Sequence, residues 1–172
     1  MGHGVVRTDK LAGTDVRSLL ESVKYMGAGS TATAIDNGNV VLLNGLMDGE
    51  REIMKGVTPA ADSALADIVL IAAPEVAYDE RIKNLDGYTN PAGKILRGYH
   101  LHSKDIFSVT ADALHFNTNE TTDGKVGSVV ELMADTKFNV KTGSATASTT
   151  VVGKVIAVEQ TVRYKYYVIQ VD

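Results

Sequence analysis

Apolar residues in this chain come in short runs, and turn-forming dipeptides close them: Asn37-Gly38, Asn44-Gly45 and Asp48-Gly49 early on, and a turn-rich stretch over 117–124 later. Asn-Gly and Asp-Gly tolerate the positive φ of tight turns, so the chain is made to reverse at short intervals. Many short strands at such spacing build a barrel or a sandwich. The expected fold is therefore mainly β, with small β-barrel or sandwich-like subdomains, an extended N-terminal arm and one short helix.

Strand-like runs lie at 40–43, 51–55, 68–72, 94–101, 106–109, 128–133, 137–141, 151–160 and 162–171. The run from Ile68 to Ala72 is apolar without alternation, the mark of a strand buried on both faces. Residues 31–35 and 40–43, joined through Asn37-Gly38, read as a β-hairpin. Val16, Leu19, Leu20 and Val23 fall at i, i+3, i+4 and i+7, which predicts an amphipathic helix over 15–25, with Thr14 or Asp15 capping it and Gly27 ending it. A single helical turn is expected over 110–114. The polar stretch 74–91 is long enough for a functional loop or one helical turn over 79–85. Residues 142–150, TGSATASTT, read as a mobile loop. Three segments follow: an N-terminal arm and short helix over 1–30, a first β-rich subdomain with its loop over 31–90, and a second β-rich subdomain over 91–172.

With 172 residues, 44% of them hydrophobic, and a mean hydropathy of −0.01, the chain has enough apolar material for a core, so global disorder is excluded. The absence of cysteine excludes disulfide frameworks, thiolate metal sites and cysteine nucleophiles. The opening MGHGVVRTDK lacks the apolar run of a secretory signal. The longest apolar stretch, Ile68 to Ala73, is far below the ~20 residues of a membrane helix. A net charge of −4 argues against a dedicated nucleic-acid binder. The charge is uneven: residues 137–172 carry a local +3, which suits an acidic partner or, more commonly, a solvated sheet face.

Four constellations bear on chemistry. Gly27-Ala28-Gly29-Ser30-Thr31-Ala32 has the spacing of a dinucleotide loop, but a predicted helix precedes it and a hairpin follows, so a linker is the better reading. His100 and His102 lie two apart on a strand, where Asp105, Asp112 or His115 could complete a metal sphere; two histidines on a solvated strand face are the blander alternative. Acid–base chemistry would have to use scattered carboxylates such as Glu75, Asp79 and Glu80. Tyr164 and Tyr166 share one strand face and Arg163, Lys165 and Tyr167 the other, an interleaving that could stack bases, although tyrosine is also a favoured strand residue. None of these is a catalytic signature. No enzyme activity and no cofactor are expected.

The linked runs DIVLIAAPEVAYDE over 67–80, NPAGK over 90–94 and RGYHLH over 97–102 resemble small head proteins of tailed bacteriophages of Gram-positive bacteria, of the capsid decoration or cement type. The likeness continues through 105–109, 127–132, 152–156 and 166–169. It covers most of 40–172 and is weakest in the opening arm and in 142–150. The resemblance implies a non-enzymatic virion protein, made in the host cytoplasm, that binds the major capsid protein on the outer surface of the head and stabilises it. It further implies a homo-oligomer, with a trimer among the possibilities, and no membrane or nucleic-acid partner. A tail-tube or head–tail connector protein is the nearest alternative, and an oligonucleotide-binding β-barrel a further one. Val5, Val6 and Leu11 alternate with Arg7, Thr8, Asp9 and Lys10 in a way that suits an extended segment laid on another chain, and Val5, Val6, Arg7 and Leu11 are the expected capsid contacts.

Overall fold

The computed structural model describes residues 2–28, 30–79, 81–82 and 84–172. Strand accounts for 40% of the chain and helical turns for 11%, so the mainly β expectation holds. Among the described residues, five strands form a closed barrel: β2 (Leu20–Tyr25), β3 (Val40–Leu46), β4 (Ile53–Val57), β5 (Ile68–Ile71) and β6 (Ile95–His100). Its order is β2-β4-β3-β5-β6, with β6 returning to β2. The other seven, β1 (Val6–Lys10), β7 (Ile106–Thr110), β8 (Leu114–Phe116), β9 (Val129–Glu131), β10 (Phe138–Lys141), β11 (Val151–Gln160) and β12 (Lys165–Val171), make one sheet ordered β1-β7-β12-β11-β9-β10-β8. The expected boundaries at 30 and 90 are thereby moved. β2 and β6 both belong to the barrel, and β1 belongs to the sheet.

β5 explains why its run is apolar throughout. Val69 and Ile71 point into the barrel with Val23, Tyr25, Val41 and Leu96, while Ile68 and Leu70 point outward to the sheet. There they join Tyr99 and Leu101 of the barrel side and Phe107, Leu132, Phe138, Tyr167 and Ile169 of the sheet in one core. A five-stranded barrel leaves little room inside. Gly56 and Gly98 make that room, because a Cβ on Gly56 would lie 2.7 Å from Val23 and one on Gly98 2.8 Å from Val69.

Two local expectations are corrected. Residues 15–25 are not one helix: Arg17–Leu19 is a single 3₁₀ turn, and β2 begins at Leu20, paired with both β4 and β6. Val23 and Tyr25 also stand two apart and both are buried, so the strand period was present beneath the helical one, and barrel closure selects it. The short α-helix of this fold is instead Glu120–Asp123, capped by the Asn119 side chain accepting from the Thr122 N–H at 2.8 Å. The second correction concerns the hairpin. Gly38 does adopt φ +84 in a turn, but β3 pairs with β4 and β5, and residues 31–35 contribute only a bridge between Ile35 and Asn90. The turn at 110–114 is present as the 3₁₀ turn Ala111–Ala113. At 79–85 the structure has no α-turn among the described residues; a 3₁₀ turn follows at Leu85–Gly87.

Candidate functional site

The N-terminal segment is no free arm. Val6 pairs with Val109 and Arg7 with Ser108 on β7, and the Val5 N–H donates to the Thr110 hydroxyl at 3.1 Å. Val5 and Leu11 are buried in the chain's own core, which removes them as contacts for another molecule; Val6 and Arg7 are half-buried. Arg7 lies 4.2 Å above the Tyr166 ring and bonds Glu159 at 2.7 Å. Three apolar residues were too few to anchor an arm independently, yet enough once a neighbouring strand supplies the ladder.

The histidines do not converge. His100 Nε2 is 3.5 Å from Glu21, His115 Nδ1 meets Asn139 at 2.9 Å, and His102 is exposed. Asp105 is occupied elsewhere: its carboxylate accepts the N–H of Ala12 and of His102, each at 2.9 Å. Asp112 lies within the 3₁₀ turn that precedes β8, beside Gly2. Among the described residues no group of three His, Asp or Glu is placed to hold a metal ion.

The tyrosine array forms only in part and is covered: β12 begins at Lys165, so Arg163 and Tyr164 precede the strand expected to carry them. Tyr164 and Tyr166 are edge to face, with centroids 6.0 Å apart, and Arg7 caps Tyr166; Tyr167 is wholly buried, its hydroxyl donating to Glu120 at 2.6 Å. Lys165 also bonds Glu120, at 2.9 Å. These donors, the Tyr167 hydroxyl foremost, hold the Glu120 carboxyl below its ordinary range. Burial pushes the Tyr167 hydroxyl up, and its bond to Glu120 adds to the effect. Arg163 sits exposed on the turn before β12. No open stacking platform results. Gly27 is a φ +51 turn residue between β2 and residues 31–35, as a linker requires, while Gly29 of the same motif and Glu80 of the carboxylate group lie outside the described residues.

The surface that stands out is the loop over 74–90. A polar bracket closes its base. Asn37 donates to the Ala73 carbonyl at 2.8 Å and to Glu75 at 2.9 Å; its Oδ1 accepts from the Ala73 N–H at 3.1 Å and from Asn90 at 2.9 Å. The Lys94 ammonium finishes the bracket on the Pro74 carbonyl, the Tyr88 hydroxyl and Asn90 at 2.6–3.0 Å. Beyond this rigid base the loop displays apolar side chains to solvent: Val76, Ile82, Leu85 and Tyr78, the last 97% exposed. Asp79 and Arg81 pair with each other beside it, at 2.6 Å. A hollow of about 160 Å³ lies beneath, lined by Ala77, Ile82, Leu85 and Tyr88. Four exposed apolar residues on one anchored loop are more than scattered surface apolars explain. The polarity of 74–91 marked it as a loop, and the isolated apolar residues in it were the signal of display.

Comparison with protein-family models, curated proteins and solved structures found no match to this chain.

Proposed function

We propose that the chain is a structural virion protein that decorates the outside of a phage head and contacts the major capsid protein through the loop over 74–90. The observation that carries this reading is spatial. The three runs that resemble decoration proteins, 67–80, 90–94 and 97–102, flank the exposed loop and fold together around β5, the base bracket and β6. Their shared product is a stiff base presenting Tyr78, Val76 and Leu85. Aromatic and aliphatic side chains displayed on a pre-ordered support suit protein contact, because little conformational entropy remains to be lost on binding.

The strongly bonded carboxylates agree with a structural role. Glu120, Asp123 and Glu131 each have lowered proton affinity, and in each the cause is a set of bonds that hold loops or strands of the chain itself. The test is imaging of virions bound by antibody fragments raised against the purified chain. Label on the head surface in a regular lattice supports the reading; label confined to the tail or the neck replaces it with the tail-tube or connector role.

A further inference from the structure

Residues 142–150 carry no titratable side chain and hardly any apolar one, so hydrogen bonds alone must hold them to the body of the protein. Those bonds converge on two carboxylates. Asp123, buried, accepts the Thr142 N–H at 3.0 Å. Glu131 of β9, 1% exposed, faces three strap donors: the Thr146 N–H at 2.8 Å, the Thr146 hydroxyl at 2.7 Å and the Thr149 hydroxyl at 3.0 Å, whose one hydrogen it shares with the Thr146 carbonyl at 2.8 Å. Asn139 of β10 adds a fourth at 2.8 Å. The far end is fastened to the barrel, where the Thr150 N–H reaches the Ala61 carbonyl and its hydroxyl the Ser63 carbonyl, both at 2.8 Å. The expected mobile loop is thus a strap that crosses from sheet to barrel.

We propose that residues 142–150 are an acid-released strap for which Glu131 is the latch. An ionised carboxylate accepts on both oxygens, and here three donors and a shared fourth fill it. Protonation turns one oxygen into a donor facing donors, so the strap loses its anchor while the backbone ladders of barrel and sheet, which do not titrate, keep theirs. Burial by itself pushes the Glu131 carboxyl up, but the bonds from Thr146, Asn139 and Thr149 outweigh it and hold the group below its ordinary range. The latched form therefore binds fewer protons than the open form, and acid favours opening. Below the ordinary glutamate value of about 4.3, opening grows by up to about tenfold per pH unit until the latched form itself is protonated.

Besides Asp123, which holds Thr142 and whose carboxyl is likewise kept below its ordinary range by that bond, other charged groups near the latch are few. Lys141 of β10 lies 3.3 Å from the Thr146 hydroxyl, and His115 of β8 bonds Asn139 at 2.9 Å; both favour the ionised latch as cations. Asp62, between the two carbonyls that hold Thr150, is exposed. Val151 of β11 stands opposite Glu131 and adds no charge.

Amide hydrogen exchange of the full chain from pH 7 to pH 3, expressed as protection relative to the unfolded rate, tests the proposal. Thr146 should lose several-fold protection, up to about tenfold per pH unit below the ordinary glutamate value, and regain it on neutralisation, with a smaller loss at Val69 and Ile169 in the ladders. Glu131→Gln should leave Thr146 open by a similar factor at pH 7 and remove the pH dependence there, while Thr142 keeps the acid dependence of its bond to Asp123. If that variant does not fold, Thr146→Val with Thr149→Val, which keeps the carboxylate and removes two of its donors, should raise opening at pH 7 and weaken its dependence on pH. A strap protected equally at pH 7 and pH 3, or one that opens only together with Val69 and Ile169, overturns the proposal.

Discussion

Asp105 accepts the backbone N–H of Ala12 at 2.9 Å across 93 residues of sequence, while its other oxygen takes the N–H of His102. The chain passes between sheet and barrel at both places, once between β1 and β2 and again between β6 and β7. A single carboxylate, 5% exposed, therefore ties the two crossings together. Asp105→Ala would leave both donors without a partner inside the protein, and bonds to a charged acceptor contribute about 1.5–3 kcal/mol each. Partial access to water offsets some of that loss. The expected destabilisation is about 2–4 kcal/mol in urea unfolding, with Asp105→Asn costing roughly half because one acceptor survives.

Stability should form a plateau with two flanks. Glu120, Asp123 and Glu131 have proton affinities lowered in the folded chain, so their contributions are complete above the ordinary carboxylate range and fade as pH falls through the folded values. The alkaline flank has the opposite sign. Burial raises the Tyr167 hydroxyl, and Lys165 is raised chiefly by its bond to Tyr167, so these contributions are complete below about pH 10 and are lost above it. Melting temperatures from pH 2 to pH 11 should be flat between about pH 5 and pH 9. Tyr167→Phe should flatten the alkaline decline, and an unchanged decline would show that another group governs it.

Much of this architecture was legible. The run at β5, the strands β11 and β12 and the turns at Asn37-Gly38 and Asp48-Gly49 followed from local composition, because a strand buried on both faces and a turn with positive φ each leave a short-range mark. Asn44-Gly45 does not reverse the chain but stands inside β3, where Gly45 at φ +74 accompanies a register shift against β4. What escaped was pairing at a distance. Val5 and Leu11 look too sparse to anchor an arm until β7 is known to lie beside them, and the helical spacing of Val16, Leu19, Leu20 and Val23 is overruled only when β4 and β6 close on β2. Glu131 was similarly hidden. Nothing in a Val-Val-Glu-Leu run says that a threonine-rich segment more than ten residues away will fill both its oxygens.

The barrel interior predicts opposite behaviour for two glycines. Gly98→Ala would press a methyl group to 2.8 Å from the Val69 side chain inside a closed cylinder, and overpacking of this kind costs about 1–3 kcal/mol. Gly45 has open space around its Cβ position but a φ of +74, so Gly45→Ala should cost about 1–2 kcal/mol from backbone conformation alone. Asparagine tells them apart. Gly45→Asn should recover most of the loss, since Asn tolerates that φ, whereas Gly98→Asn should be worse than alanine. Thermal melts of the four variants check this ordering.

The exposed loop apex offers the most direct link between structure and the proposed role. Tyr78 is 97% exposed and makes no side-chain hydrogen bond among the described residues, so Tyr78→Ser should leave stability within about 0.5 kcal/mol of the parent. If the loop contacts the capsid, the same change removes an aromatic anchor, which in protein interfaces is worth about 2 kcal/mol or more, or roughly thirtyfold in affinity. Lys94→Met acts from the other direction. It removes the ammonium that joins Pro74, Tyr88 and Asn90, loosening the base while leaving every apex side chain in place. Both variants should therefore bind heads lacking this protein more weakly than the parent in co-sedimentation, Tyr78→Ser by loss of contact and Lys94→Met by loss of pre-organisation. Equal binding by parent and Tyr78→Ser would exclude the apex as the contact and turn attention to Val6 and Arg7 on the sheet edge.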